Sequence, residues 1–209
     1  MSKSEECAAL LRGAKSSGIV GNNMPRVKIA VAFFIGVLPM LADAFQDGAV
    51  GIYVEAGDTT FRDGDAATYS AGAGLLLPWA PTPNFLQGAQ SLYWDLFISN
   101  WSARDAAGGR TNFAQIGAIL NWRYRFSGGT SPWFAELGLG ATVMDRTYHT
   151  PDRQFTTNFQ FTELIGMGLS LDDHGQHEMG LRLQHFSNAG IEKPNPGETF
   201  LRTRYTYRF

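Results

Sequence analysis

A histidine and a serine stand two positions apart near the C-terminal end of the chain, at His185 and Ser187. On a β-strand, residues two positions apart point to the same face, so the imidazole and the hydroxyl can come within hydrogen-bonding reach. A serine hydroxyl becomes a nucleophile when a neutral imidazole takes its proton. The spacing therefore predicts nucleophilic catalysis, with Ser187 as the attacking group and His185 as the base.

Such a pair benefits from a carboxylate that fixes the imidazole tautomer and stabilises the imidazolium. Glu198 follows a loop rich in proline and glycine and stands opposite the end of the strand that carries the pair, whereas the competing Glu192 lies in mid-loop. If the last strand is regular from its start, Glu198 shares a face with Arg202 and Arg204. Its reach to His185 therefore requires a position at the edge of the loop.

The elements that position these residues are predicted from an alternation of apolar with small or polar residues along residues 45–209. A period of two residues is typical of β-strands, and no apolar run in this part is long enough for a transmembrane helix. One face of each stretch is apolar, and the other carries glycine and mixed charges. The pattern predicts an all-β fold, an eight-stranded antiparallel transmembrane β-barrel of the outer membrane.

The alternation places strands near residues 50–57, 69–79, 92–99, 115–125, 133–143, 158–171 and 178–184, with a last strand that ends at Phe209. In the sixth strand, Glu163 shares the parity of Phe161 and Ile165, an irregularity that a β-bulge would resolve. The tryptophans are predicted to anchor the barrel at the membrane interfaces. They are Trp79, Trp94, Trp101, Trp122 and Trp133.

Arginines in the strands are predicted to face the interior of the barrel, because an arginine that faces lipid at mid-depth costs roughly 2–4 kcal/mol. These arginines are Arg123, Arg182, Arg202 and Arg204. Asp95 and Glu136 are the simplest partners for them, in a structural network of charges.

His185 and Ser187 share their parity with Leu181 and Leu183, on the apolar face of the predicted seventh strand. They are therefore predicted to point to lipid, and to lie at the external end of that strand if the N-terminus is periplasmic. A polar pair that faces lipid is unfavourable unless it has a function. Acyl esters of lipopolysaccharide lie near that depth of the outer leaflet, so an outward nucleophile could meet one without extracting the lipid.

The first 44 residues are predicted to lie outside the barrel. Residues 24–44 begin with a methionine and two basic residues, continue with a short apolar run and end in Ala-Asp-Ala44, which is typical of a cleaved secretory signal peptide. Residues 1–23 are interpreted as an upstream extension that results from the choice of start site. The alternative is a cytoplasmic tail ahead of an uncleaved anchor. Residues 45–209 then form the barrel domain.

Other features limit the partners. A net charge of −2 gives no support for nucleic-acid binding. The terminal Phe209, with Tyr207 and Tyr205 at alternating positions, resembles the aromatic signal that the barrel-assembly machinery recognises. His174 and His177 have a spacing that could bind a metal, but solvated turn histidines are the simpler interpretation. No metal or cofactor is predicted.

The run His185-Phe-Ser187-Asn188-Ala-Gly190, the proline-rich segment that ends at Glu198 and the aromatic last strand resemble the PagL-type lipid A 3-O-deacylases. The resemblance implies a metal-free barrel that removes the ester-linked 3-hydroxyacyl chain at position 3 of lipid A. It implies Ser187 as nucleophile, His185 as base and Glu198 as orienting acid. It also suggests that backbone N–H groups between Asn188 and Gly190 stabilise the oxyanion, since glycine permits the tight turn that such donors need.

Two other functions are compatible with the sequence. A non-catalytic small outer-membrane barrel, acting in adhesion or membrane stability, would not need His185 and Ser187. Acyl transfer between phospholipid and lipid A would use similar residues but usually requires an acyl pocket inside the barrel, and the outward parity argues against that. The implied partners are lipopolysaccharide and the lipids of the Gram-negative outer membrane. The sequence leaves open a homodimer, the preferred acyl length and the regulation of activity.

Overall fold

The computed structural model describes residues 45, 47–59, 66–79 and 89–209. Eight antiparallel strands form a closed barrel in which each strand pairs with its neighbour in sequence and the first pairs with the last. This confirms the predicted fold. The predicted extension at 1–23 and the signal peptide at 24–44 lie outside the described residues. The strands are β1 (Gly51–Asp58), β2 (Tyr69–Pro78), β3 (Gln90–Arg104), β4 (Arg110–Arg125), β5 (Trp133–Met144), β6 (Phe159–Ser170), β7 (His177–Ser187) and β8 (Glu198–Arg208).

The outer surface of the barrel is apolar and the inner face of the strands is largely polar. Ile98 is 62% exposed and Leu139 is 72% exposed on the outside, whereas Asp95 and Gln115 are buried inside. An apolar exterior around a closed hydrogen-bond ladder is the arrangement that lipid requires. Among the described residues, no helix has the length and apolar character needed to cross a membrane.

β3 and β4 are longer than the sequence predicted. β3 continues to Arg104 and β4 begins at Arg110, so that only residues 105–109 connect them. The outward residues there are polar and hide the alternation, yet the ladder continues, and Asn100 Nδ2 donates to Asn112 Oδ1 at 3.2 Å. The connection is therefore shorter than predicted.

Ion pairs hold the strands together inside the barrel. Arg182 Nη1 lies 3.0 Å from Asp95 Oδ2, and its Nη2 donates to Glu136. Arg204 joins Asp95 at 2.6 Å and Glu55 at 2.7 Å, so the network links strands on opposite sides of the barrel. The predicted inward arginines are confirmed as buried: Arg123, Arg182, Arg202 and Arg204.

Aromatic side chains fill the interior at the end of the barrel that carries residues 105–109, 145–158 and 188–197, here called the site end. Trp101 is fully buried, with its ring 4.9 Å from that of Phe186 and 4.5 Å from that of Phe200. Its prediction as an interface anchor was wrong, because the polar outward residues at the end of β3 hid its inward parity. This aromatic cluster fixes the site ends of β7 and β8 from inside.

β6 is regular at Glu163. Its ladders with β5 and β7 pair every residue from Phe161 to Leu169, so the bulge that the sequence suggested was wrong. Glu163 consequently keeps its outward parity and is exposed between Phe161 and Ile165. A carboxylate therefore stands on the apolar outer wall.

Candidate active site

The last three residues of β7 divide between the two sides of the barrel wall. Phe186 points inward and is fully buried in the aromatic cluster. His185 and Ser187 are half-buried and share the outward face with Met179 and Leu183, which are 37% and 36% exposed. The outward orientation predicted from parity is thus confirmed. Burial of Phe186 anchors the strand, so both polar side chains have a fixed direction.

Thr199 is the partner of the candidate base. It lies opposite His185 in the register of β7 and β8, and its Oγ1 is 2.8 Å from His185 Nδ1. This contact fixes the ring and leaves Nε2 as the nitrogen that can accept a proton from Ser187. Among the described residues, no hydrogen bond joins Ser187 Oγ to the imidazole; such bonds are often long before substrate binds. Sequence reasoning missed Thr199, because its place depends on register.

Glu198 is placed on the other side of the wall. It opens β8 with inward parity opposite Phe186 and is 2% exposed. Its Oε2 accepts a hydrogen bond from Tyr148 Oη at 3.0 Å, and its Oε1 lies 3.8 Å from Arg153 Nη1. β8 is regular from its first residue, so the structure does not bring Glu198 together with His185. Its role as the orienting acid stays a prediction.

The turn after the serine contains the suggested oxyanion donors. The N–H of Asn188 donates to Asn195 Oδ1 at 3.3 Å, and the N–H of Gly190 donates to Asn188 Oδ1 at 2.9 Å. Both groups therefore already have acceptors within the loop. The N–H of Ala189 lies 3.5 Å from Ser187 Oγ and is the donor of this turn that points at the candidate nucleophile.

The neighbouring connection, residues 145–158, clamps the loop of the site. Arg153 Nη1 donates to the carbonyl oxygens of Gly197 and Pro196, and Asn188 Nδ2 donates to Thr156 Oγ1 at 3.3 Å. Between the two connections lies a groove of about 570 Å³ whose walls include charged and amide side chains. It is lined by His149, Thr150, Pro151, Asp152, Arg153, Gln154, Pro194, Asn195 and Pro196.

His174 and His177, whose spacing could bind a metal, lie at the opposite end of the barrel. His177 Nδ1 forms a hydrogen bond with Tyr205 Oη at 2.7 Å, and His174 lies in the turn before β7. In the part of the chain that the structure describes, no three His, Cys, Asp or Glu side chains group as metal ligands. Among the described residues, His185, Ser187 and Thr199 come together at the site end.

Comparison with known proteins extends this assignment to a family. The sequence profile described as lipid A 3-O-deacylase (PagL) matches residues 67–208, which include β2 to β8 and the candidate site. The chain belongs to the lipid A 3-O-deacylase (PagL) family. The PagL-family match covers both His185 and Ser187.

Two curated relatives carry the name lipid A deacylase PagL. The protein of Bordetella bronchiseptica is 43% identical over 77 residues, which are 37% of this chain and 42% of that protein. The protein of Pseudomonas aeruginosa is 30% identical over 105 residues, 50% of this chain and 57% of that protein. The matches thus span about half the length of these PagL relatives.

Solved structures show the same fold. The crystal structure of the outer membrane enzyme PagL superposes with a TM-score of 0.61 at 22% identity, covering 76% of this chain and 99% of that chain. Neisserial surface protein A (NspA) superposes with a TM-score of 0.53 at 13% identity, covering 77% of this chain and 97% of that chain. At these identities, the similarity to PagL and NspA concerns the barrel architecture.

Replacing Gly197 with alanine is expected to lower any hydrolytic activity of the His185–Ser187 pair at least about tenfold. A Cβ at Gly197 would lie 2.5 Å from His185 Cε1, and the backbone there has a φ of 65°, which costs an alanine about 1–2 kcal/mol. The imidazole must therefore move away from its position. Gly108→Ala is the control, since its φ is 86° but nothing lies within 4 Å of its Cβ. Equal rates in both variants would contradict a packing role for Gly197.

Proposed function

We propose that this barrel is a lipid A 3-O-deacylase of the outer membrane, which hydrolyses the ester-linked 3-hydroxyacyl chain at position 3 of lipid A. The observation that carries the proposal is the outward placement of His185 and Ser187 on an apolar wall, in a chain of the PagL family. The two curated relatives are named lipid A deacylases, and the similar PagL structure is named an outer membrane enzyme.

The reaction follows from the positions of the side chains. Ser187 Oγ attacks the ester carbonyl carbon while His185 Nε2 takes its proton, and the N–H of Ala189 stabilises the oxyanion. His185 then protonates the departing sugar oxygen, which leaves an acyl-serine. Water, activated by the same imidazole, hydrolyses this ester and releases a 3-hydroxy fatty acid. Thr199 holds the ring through Nδ1 during both steps.

The surroundings of Ser187 suit a lipid that remains in the membrane. Phe161 pairs with Ser187 in the register of β6 and β7 and is 39% exposed, and Leu183 lies on the same outward face. An acyl chain can lie against these side chains in the hydrocarbon region. The groove between residues 149–154 and 194–196 stands at the loop of the site, and its His149, Asp152 and Arg153 side chains suit the hydrophilic part of the substrate. Lipopolysaccharide is thus the partner that fits.

The interior of the barrel favours hydrolysis over acyl transfer. A transferase needs an acyl pocket inside the barrel, whereas the described interior holds the aromatic cluster around Trp101 and the ion pairs of Arg182 and Arg204. A nucleophile on the outer wall meets its lipid there instead.

The third member of the predicted catalytic set is Glu198. In this role its carboxylate would have to leave Tyr148 and Arg153 and turn outward to His185 Nδ1, where Thr199 now lies. Replacing Glu198 with glutamine tests the role, because the amide keeps the shape and removes the charge.

The proposed reaction is tested by incubating the refolded barrel with purified lipid A and identifying both products by mass spectrometry. The expected products are lipid A without one 3-hydroxyacyl chain and a free 3-hydroxy fatty acid. Phospholipid should be present in a parallel sample. Unchanged lipid A with a folded barrel would favour the non-catalytic barrel, and lipid A with an added acyl chain would favour acyl transfer.

A further inference from the structure

The outer wall carries a row of polar side chains across three strands. His185 on β7 pairs in register with Thr199 on β8 and, on its other side, with Glu163 on β6. The next position in the row is Leu139 on β5. The candidate base therefore has a hydroxyl on one side and a carboxylate on the other.

The register puts the carboxylate of Glu163 within reach of the imidazole. Residues directly opposite each other on antiparallel strands point to the same face, with Cβ atoms about 4.5–5.5 Å apart. The Glu163 side chain is long enough to bridge this gap by rotation about its own bonds. In contrast, Glu198 has inward parity and is held by Tyr148.

The position of Glu163 is unfavourable for a carboxylate without a function. Its neighbours on the outer wall are Phe161 and Ile165 along β6 and Leu139 across β5, all of them exposed apolar side chains. Within the described part of the chain, Glu163 forms no ion pair or hydrogen bond. Ionisable residues on a lipid-facing surface are costly and mark functional sites. His185 is its polar neighbour in the row.

The other charged groups near His185 on the outer side of the wall belong to loops. β8 presents Thr199 and Leu201 on the outward face, and neither is charged. The loop of the site carries Glu192 and Lys193, and Arg153 approaches from residues 145–158 through the carbonyl of Gly197. Glu163 is the carboxylate that a strand places beside the imidazole.

We propose that Glu163 is a positioning residue that stabilises protonated His185 during deacylation. The proposal rests on the proposed function and assigns to Glu163 the task that the family resemblance implies for Glu198. When Nε2 takes the proton of Ser187, the ring becomes positive in a low-dielectric environment. A carboxylate at its side lowers the energy of that state, as in other serine hydrolases.

The test compares Glu163→Gln with Glu198→Gln, two substitutions that remove the same charge on opposite sides of the wall. We expect Glu163→Gln to lower kcat about 10- to 100-fold with KM within about twofold. The pH–rate profile of Glu163→Gln should differ from that of the wild type, since the charge beside the imidazole is lost. Glu163→Asp should restore part of kcat, and Asp173→Asn, which removes an exposed carboxylate in the turn at the opposite end of the barrel, should keep the wild-type pH profile.

A second readout does not depend on activity. The ring-proton signals of His185, assigned by their absence in His185→Asn, should shift in Glu163→Gln relative to wild type, by NMR in detergent micelles at fixed pH, and should stay in place in Asp173→Asn. Unchanged His185 signals and an unchanged kcat would overturn the role of Glu163. If Ser187→Ala is inactive in the same assay, the proposed function still stands. A loss of kcat in Glu198→Gln alone would return the role to Glu198, and wild-type activity in Ser187→Ala would refute the nucleophile.

Discussion

Replacing Ser187 with alanine is expected to lower the rate of lipid A deacylation by at least about 1000-fold, because removal of a serine nucleophile costs this much or more in serine hydrolases. The barrel should remain folded, because the Ser187 side chain faces outward and its Oγ contacts the N–H of Ala189 at 3.5 Å. The hydroxyl supports no side chain inside the barrel. Release of 3-hydroxy fatty acid over time is the measurement. Folding is checked by the electrophoretic mobility of the unheated protein.

Ser102→Ala is the matched control for this variant. Ser102 is a half-buried, outward residue near the site end of β3, and it accepts a hydrogen bond from Arg110 Nε at 3.0 Å. Loss of its hydroxyl should leave the rate within about twofold of wild type. Full activity in Ser187→Ala would refute the nucleophile, whereas equal losses in both variants would point to a general effect on the barrel.

Replacing Arg182 with methionine is expected to lower the free energy of unfolding by about 3–5 kcal/mol, the usual cost when one partner of a buried ion pair is removed. Arg182 contacts the carboxylates of Asp95 and Glu136, and all three side chains are buried. The methionine fills similar space but removes one of the two arginines that pair with each carboxylate, since Asp95 keeps Arg204 and Glu136 keeps Arg123. Urea unfolding in lipid vesicles, followed by tryptophan fluorescence, measures the difference.

Arg146→Met is the control for the loss of an arginine. The Arg146 side chain is 61% exposed and pairs with the exposed Asp145 on the connection between β5 and β6. Exposed ion pairs contribute about 0–1 kcal/mol, so this variant should unfold close to wild type. A similar small change in Arg182→Met would contradict the structural role of the interior network.

Periodicity was sufficient to predict much of the fold and the direction of the site. Alternation fixes which side chains share a face, so the inward arginines and the outward orientation of His185 and Ser187 followed from parity alone. Both predictions agree with the burial of these arginines and with the burial pattern along β7. Parity does not predict the facing of residues where the outward side chains are polar. For this reason the inward position of Trp101 and the site ends of β3 and β4 were not predicted.

Contacts between strands could not be predicted, because they depend on register. The length of the loop after Ser187 decides which residue of β8 lies opposite His185. A shift of one position in the register decides whether that residue is Glu198 or, as observed, Thr199. The approach of Glu163 from β6 depends on the register of a second strand pair. Composition and spacing do not determine either register.

The proposed deacylation is tested most directly by the mass spectrum of lipid A from the outer membranes of cells that produce the wild-type chain or Ser187→Ala at equal levels. Lipid A should lose the mass of one 3-hydroxyacyl chain in cells with the wild type and keep its full mass with Ser187→Ala. Lipid A of full mass in membranes that contain the folded wild-type barrel, or the same loss with Ser187→Ala, would contradict the proposal.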